Sequence, residues 1–410
     1  MIRKFFIFSI NLLNILASEK SLDHSHILTF QKPSEENIYF RNLNSNNSKK
    51  KDKKNLIIGL IKGYNWSIIK PFFISLISAN IKNYDLVMFV DNISEETLNK
   101  IKLCGTIIRE IPEKNLGYQD LVKYRWKLYS DYLKENKDKY NQVFVCDARD
   151  VIFQKDIFQY YENNKSFIGF TLEDASLRNP VNKGWVMFFC KNYHEYKKIA
   201  DKRIICGGTI ISSVDKFIEF SEVLWQTISN LTNFFVQGAI NYLIYYKKLL
   251  NDSLILTDNS GPIMTICITK RKKITLDSEN NVLNFKGEIA AIVHQYDRKP
   301  DITRKMNKKY SDDILNKYLE LKKINEAKKI NEEYKAKMKL KKRIKIIRKT
   351  ILISFIIFSI IIFTFIKSRN SGICKRRKKA KKHRISKIKN KYIRKKKVNY
   401  ILSTSKNRII

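Results

Sequence analysis

The sequence predicts an α/β fold in which a mixed, mostly parallel sheet is flanked by helices and followed by a helical stem and one membrane-crossing helix. Three observations carry this. The apolar runs within NLIIGLIKGYN, DLVMFV and QVFVC lack period-two alternation, as strands covered on both faces do. Segments with helical apolar spacing, 66–80 and 118–135, lie between them, the βαβ order of a parallel sheet. Near the C-terminus, residues 350–366 carry no charge over 17 residues, at the short end for a membrane span.

The elements follow in order. Residues 1–18, MIRKFFIFSINLLNILAS, join a basic start to an apolar stretch that ends in small residues, the pattern of a signal peptide, with a signal anchor as the alternative. Residues 19–54 are polar, include Ser-Asn-Asn-Ser and a Lys run, and read as a disordered linker. The folded domain is expected over 55–304. Its first strand ends in a Gly-containing turn before the helix 66–80, and a second strand, 85–90, ends at Asp91-Asn92. A Ser-Glu-Glu start predicts a helix over 94–103. A strand over 106–111 and the long helix 118–135, which contains Arg125 and Trp126, come next.

The central stretch is QVFVCDARDVIFQKDIF, an apolar strand that stops at Asp147-Ala148-Arg149-Asp150 and resumes at Val151. Later strands are expected at 166–170, leading into Leu172-Glu173-Asp174, and at 254–257 and 289–293, the last running into His294-Gln295-Tyr296-Asp297-Arg298. Cys206-Gly207-Gly208-Thr209 reads as a small-residue turn before a short strand at 210–211, and helices are expected over 214–229 and 235–250. Residues 305–349 form a Lys-rich stem, read as a solvated helix rather than a binding helix. Residues 350–366 form the span, and 367–410 a basic tail placed in the cytoplasm.

The formal charge of +41 is uneven, with +30 in 305–410 and +11 in the rest. That argues against a nucleic-acid-binding domain and leaves a mildly cationic body suited to anionic nucleotides. None of the six cysteines forms a CxxC pair or a Cys/His spacing suited to zinc. Five precede the span, so at least one is expected to stay free.

The chemistry concentrates at strand ends. Asp147 and Asp150, flanking Arg149 at the sheet's carboxyl edge, could hold a divalent metal and through it a diphosphate, or could merely cap backbone N–H groups of a turn. Asp91 could bind a nucleoside base or ribose, or shape its turn. Arg125 could reach a donor, or sit in a surface salt bridge, and Arg149 is expected on the donor side as well. Glu173 or Asp174 could act as the base that activates an acceptor. Gly207 and Gly208 could line the acceptor side.

CDARDVIFQKDIF, followed much later by AAIVHQYDRKPDI, resembles an uncharacterised group of GT-A-type glycosyltransferase-like proteins over roughly residues 55–304. The resemblance implies a GT-A-like (Rossmann-like) domain that binds a nucleotide-sugar donor, with Mn²⁺ or Mg²⁺ bridging its diphosphate. Asp147 and Asp150 would take the place of the DxD-type carboxylates, His294 would be the third ligand, and Arg298 would sit near the phosphates. Similar proteins carry an Asp-Gln pair before an Asn. Here Gln237 and Asn241 remain, and both are expected on the acceptor side, while Val236 replaces the Asp.

The expected function is therefore that of a membrane-anchored glycosyltransferase, metal-assisted through its DxRD motif and a distal His, acting on a glycan, protein or lipid acceptor. Its domain would be lumenal or extracellular, in the Golgi or ER membrane or at the cell surface. Val236 supports the alternative of a catalytically silent relative that binds sugar or acts as a scaffold.

Overall fold

The computed structural model describes residues 53–405 except 114–115 and 233–234. The expected signal peptide, nearly all of the linker and the last five residues of the tail lie outside the described residues.

Four parallel strands open the fold: β1 (Lys54–Lys62), β2 (Tyr84–Asp91), β3 (Ile107–Glu110) and β4 (Tyr140–Cys146). They are joined by α1 (Trp66–Ser78), α2 (Glu95–Leu103) and α3 (Tyr118–Glu135). Local chemistry sets their starts. The Asn65 side chain accepts from the Ile68 N–H and the Ser94 side chain from the Thr97 N–H. In α2, Glu95 and Glu96 in the first turn and Lys100 and Lys102 in the last complement the helix dipole.

The chain continues with β5 (Val151–Phe153), β6 (Ile168–Ser176), α4 (Pro180–Met187), β7 (Arg203–Ser213), α5 (Val214–Ile228), α6 (Val236–Asn241) and β8 (Leu254–Thr257). Seven strands form one sheet in the order β3-β2-β1-β4-β7-β6-β8. β7 runs antiparallel to both β4 and β6, while β8 is parallel to β6. Alternate strand residues are buried on opposite faces. Ile57, Met88 and Phe144 pack with α1 on one side, and Leu56, Ile58 and Val143 pack with α3 and α5 on the other. Burial on both faces is why the strands read as continuous apolar runs.

Four further strands, β9 (Ile263–Thr265), the pair β10 (Thr275–Leu276) and β11 (Val282–Leu283), and β12 (Ile292–His294), follow. β12 lies between β5, to which it is antiparallel, and β9, to which it is parallel, in a separate small sheet.

Several local expectations are corrected. Cys206–Thr209 is not a turn but the middle of the eleven-residue strand β7. Its glycines admit close neighbours without breaking the strand. β6 runs past Phe170 to Ser176, so Glu173 and Asp174 lie within a strand. The helix expected over 235–250 is the six-residue α6 followed by a π-helical turn, Tyr242–Tyr246. The expectation that at least one cysteine stays free holds, since all six are free.

The folded core also reaches beyond residue 304. α7 (Pro300–Lys309) buries Ile302 and Met306, and Tyr310 and Leu315 are buried in the same core. The long helix α8 (Asp312–Ser405) starts where Asp312 accepts from the Trp66 indole at 2.8 Å and pairs with Lys70 at 3.1 Å. Its apolar stretch is exposed along its length, and it is one helix long and apolar enough to cross a membrane. Seventeen residues of helix span about 25 Å.

Candidate active site

The strand order reverses between β1 and β4, since β2 and β3 extend the sheet one way and β4 starts the other half. In open α/β sheets that switch point leaves a crevice beyond the carboxyl ends of the strands. Here the crevice is lined by Lys62 and Tyr64 after β1, by Tyr118, Leu121 and Arg125 of α3, by Asp147, Arg149 and Asp150 after β4, and by Gln295 and Arg298 after β12.

Asp147, Asp150 and His294 each direct one ligand atom into the same space, all within 4.8 Å of one another. Tertiary pairing produces this. β12 runs antiparallel to β5 with His294 opposite Val151, and the Gln295 N–H donates to the Asp150 carbonyl at 2.7 Å. The His294 imidazole therefore lands beside a carboxylate 144 residues earlier in the chain. The Gln295 backbone turns into the left-handed region, φ 60°, an uncommon conformation for a residue other than Gly.

The arrangement fits a divalent cation. Asp150 Oδ1 and His294 Nε2 face each other at 3.5 Å, and both are buried atoms with no hydrogen-bond partner. Such orphaned polar atoms are costly unless something satisfies them. Burial lowers the imidazole pKa to about 4, and burial, helped by the charges of Asp147 and Asp297, raises that of Asp150 to about 7. The pair is thus no salt bridge at neutral pH despite its proximity, because its imidazole is uncharged. A neutral imidazole beside two carboxylates is the donor set of a hard or borderline metal ion.

Charge surrounds the cluster. Arg125 Nη1 holds Asp147 Oδ1 at 2.5 Å, which leaves Oδ2 facing the cluster, where it lies 3.0 Å from the place a Cβ on Gly208 would occupy. Arg149 lies 3.6 Å from Asp150 and 3.2 Å from Asp297. Arg298 contacts Asp297 at 3.4 Å and is half-exposed, free to turn toward a ligand. Lys62 binds Asp91 and the Leu116 carbonyl, so Asp91 sits at the crevice edge through Lys62.

A second polar group lies behind β7. Glu173, buried, accepts from Gln237 Nε2 at 3.2 Å, and that amide also donates to Asn182 at 3.0 Å. Gln237 Oε1 accepts from the Gly207 N–H at 3.2 Å. Burial raises the Glu173 pKa to about 7, while hydrogen bonds from Gln237 and Cys206 work against the rise. The Cys206 thiol thus sits between Glu173 and His294, whose Nδ1 is 3.4 Å from its sulfur.

Two candidates stand apart. Asp174 is engaged by Lys273 at 3.0 Å. Asn241 does not line the acceptor side as expected: it is fully buried and both amide atoms are bound to the Ile205 backbone, with a further bond to the Gln237 carbonyl. It pins α6 to β7. Val236 is buried in the apolar core. Sequence reasoning missed Lys62, Tyr64 and Tyr118, which flank recognisable strand and helix ends, and Thr265, which carries no sequence signal; Gln295 fell within the polar pentad 294–298 without a role of its own.

No protein-family model and no curated protein matches the chain. Among solved structures it is similar to the apo form of WbbM, a bifunctional glycosyltransferase, at 13% identity and TM-score 0.38, over 62% of this chain and 50% of that one. It is also similar to the galactosyltransferase LgtC in complex with donor and acceptor sugar analogues, at 13% identity and TM-score 0.37, over 62% of this chain and 95% of that one. The chain spans about half the length of WbbM. Likeness of this extent says nothing about activity, and the chemistry rests on the site's own geometry.

Proposed function

We propose that the chain is a metal-assisted glycosyltransferase that takes a nucleoside-diphosphate sugar as donor and is anchored in a membrane by residues 350–366. The observation that carries this is the pair of orphaned atoms, Asp150 Oδ1 and His294 Nε2, facing Asp147 at the edge of a cationic crevice at the sheet's switch point. Asp147, Asp150 and His294 would hold Mn²⁺ or Mg²⁺, and a bound cation would take up negative charge developing on the leaving diphosphate.

The protein's own groups do the rest. Arg125 keeps Asp147 oriented. Arg149, Arg298 and Lys62 place positive charge around the crevice, which favours a diphosphate over a neutral ligand. Tyr64 and Tyr118, with Leu121, offer flat apolar surface for the nucleoside. Glu173, with its pKa near 7, can accept a proton from an acceptor hydroxyl at neutral pH, and Gln237, bonded to both Glu173 and Gly207, orients it. Exposed apolar side chains over 350–366, with Lys349 and Lys367 flanking them, support a single span with snorkelling ends. Placement of the domain in a secretory-pathway lumen or outside the cell belongs to the same reading.

Calorimetry on the full chain in detergent, titrating UDP-, GDP- and CMP-sugars with and without Mn²⁺, tests it. Metal-dependent binding of one donor, abolished by Asp150→Asn, is expected. No binding of any donor with the metal present refutes it. Val236, an apolar core residue where the sequence resemblance implies Asp, favours a second reading as a silent sugar-binding relative. Metal-dependent binding without transfer or donor hydrolysis would select that reading.

A further inference from the structure

His294 can present Nε2 to a cation only if its ring proton sits on Nδ1, because a neutral imidazole carries one N–H and one lone pair. Around Nδ1 the structure places two groups, Cys206 Sγ at 3.4 Å and Thr265 Oγ1 at 3.4 Å. Thr265 is buried, and its position opposite His294 follows from the parallel β9–β12 register. Its hydroxyl hydrogen has two acceptors besides the ring, Gln295 Oε1 at 3.1 Å and the weaker Cys206 Sγ at 3.8 Å, and the shorter contact commits it to Gln295, whose carbonyl oxygen can only accept. The Thr265 oxygen therefore faces Nδ1 with lone pairs. Cys206 Sγ is a further, weaker acceptor at the same nitrogen.

We propose that Thr265 is a positioning residue: the chain Gln295 Oε1, Thr265 Oγ1, His294 Nδ1 locks the imidazole in the Nδ1–H tautomer and turns the Nε2 lone pair toward Asp147 and Asp150. This deepens the cation-site reading and rests on it for affinity, while the tautomer itself is a property of the metal-free protein. Partners on the far nitrogen commonly orient a metal-binding histidine. Here the orientation would come from a hydroxyl whose own direction is set by the residue next to the ligand. Removing that hydroxyl frees Nδ1 from its best acceptor, and the proton can move to Nε2, where Asp150 Oδ1 waits at 3.5 Å.

The test compares the wild-type chain with Thr265→Val, close to Thr in shape but without the hydroxyl, and Thr265→Ser, which restores it. Long-range ¹H–¹⁵N correlation spectra of the metal-free proteins, with His294 assigned by His294→Gln, read the tautomer directly. Wild type and Thr265→Ser should be protonated at Nδ1 and Thr265→Val shifted toward Nε2. Mn²⁺ affinity, titrated without nucleotide, should fall roughly 10- to 100-fold in Thr265→Val and be regained in Thr265→Ser. A wild-type spectrum protonated at Nε2, or a Thr265→Val spectrum identical to wild type, overturns the proposal.

Should Thr265→Val not fold, Gln295→Asn serves instead. Asn tolerates the left-handed backbone at 295 and withdraws the carbonyl from Thr265. It should shift the tautomer in the same direction, and an unchanged spectrum counts against the proposal. If wild type binds no Mn²⁺, the cation-site reading fails, and the spectra alone decide the tautomer relay.

Discussion

Replacing Gly208 with alanine would place a methyl carbon where a cation is proposed to stand. Gly208 lies in β7, in ordinary strand conformation, so the backbone itself does not forbid a side chain. Space does. The added Cβ would meet the His294 ring, 2.6 Å from Nε2, and would lie 3.0 Å from Asp147 Oδ2. These are the atoms proposed to hold the cation, and metal–ligand bonds to oxygen of about 2.0–2.1 Å leave no space for a methyl group between them. The methyl group and the ion compete for one volume, and the fully buried ring has little room to yield.

Overpacking of this kind costs about 1–3 kcal/mol of stability, or about 2–4 °C of melting temperature for each kcal/mol in a domain of this size. Loss of Mn²⁺ affinity should be larger, at least about 100-fold, roughly 3 kcal/mol. Calorimetric Mn²⁺ titration beside a thermal melt separates the two effects. A folded Gly208→Ala protein that binds Mn²⁺ as wild type does would show that His294 and Asp147 do not share an ion, and the site reading would fall with it.

Other outcomes follow from the same geometry. Glu173 is pushed up to about 7 in the folded protein by burial. The folded state therefore holds its proton more tightly than the unfolded chain, and stability falls as pH rises from about 4.5 through 7. Glu173→Gln, which still offers Gln237 an acceptor, should raise the melting temperature at pH 8 and make little difference at pH 4, with a ceiling of roughly 3 kcal/mol for a shift of that size. Equal effects at both pH values would contradict this. In a transfer assay the same substitution should lower turnover about 10²- to 10⁴-fold, whereas Asp174→Asn, at a residue held by Lys273, should change it less than about threefold. A chain ending at 304 loses buried Met306, Tyr310 and Leu315; at about 2–5 kcal/mol for each large core side chain removed, it should not fold, while one ending at 330 should. Finally, a peptide of residues 367–410, with 19 Lys and Arg and no acid, should bind anionic vesicles and release them as salt rises; binding that is indifferent to salt would rule out a charge-driven contact.

By itself the sequence determined what is local. Strands covered on both faces appear as unbroken apolar runs, Ser94 and the two glutamates after it mark a helix start, and an uncharged stretch at 350–366 needs no partner to be recognised. The carboxylates at 147 and 150 could be placed at a strand end because the apolar run stops there. Which groups meet across the chain was decided by tertiary pairing. A three-residue strand such as β12 carries too short a pattern to name its neighbours, yet its register between β5 and β9 brings His294 to Asp150 and to Thr265. Gly207 and Gly208 read as a turn because glycine usually punctuates a chain. In the folded protein they keep β7 extended and leave room for Gln237 on one face and His294 on the other. Asn241 looked like a ligand group until burial showed both its amide atoms used by the backbone of a neighbouring strand. A residue's chemistry can be read from the chain, but its exposure and its neighbours depend on side chains far away in sequence, and those set whether the chemistry serves the fold or the site.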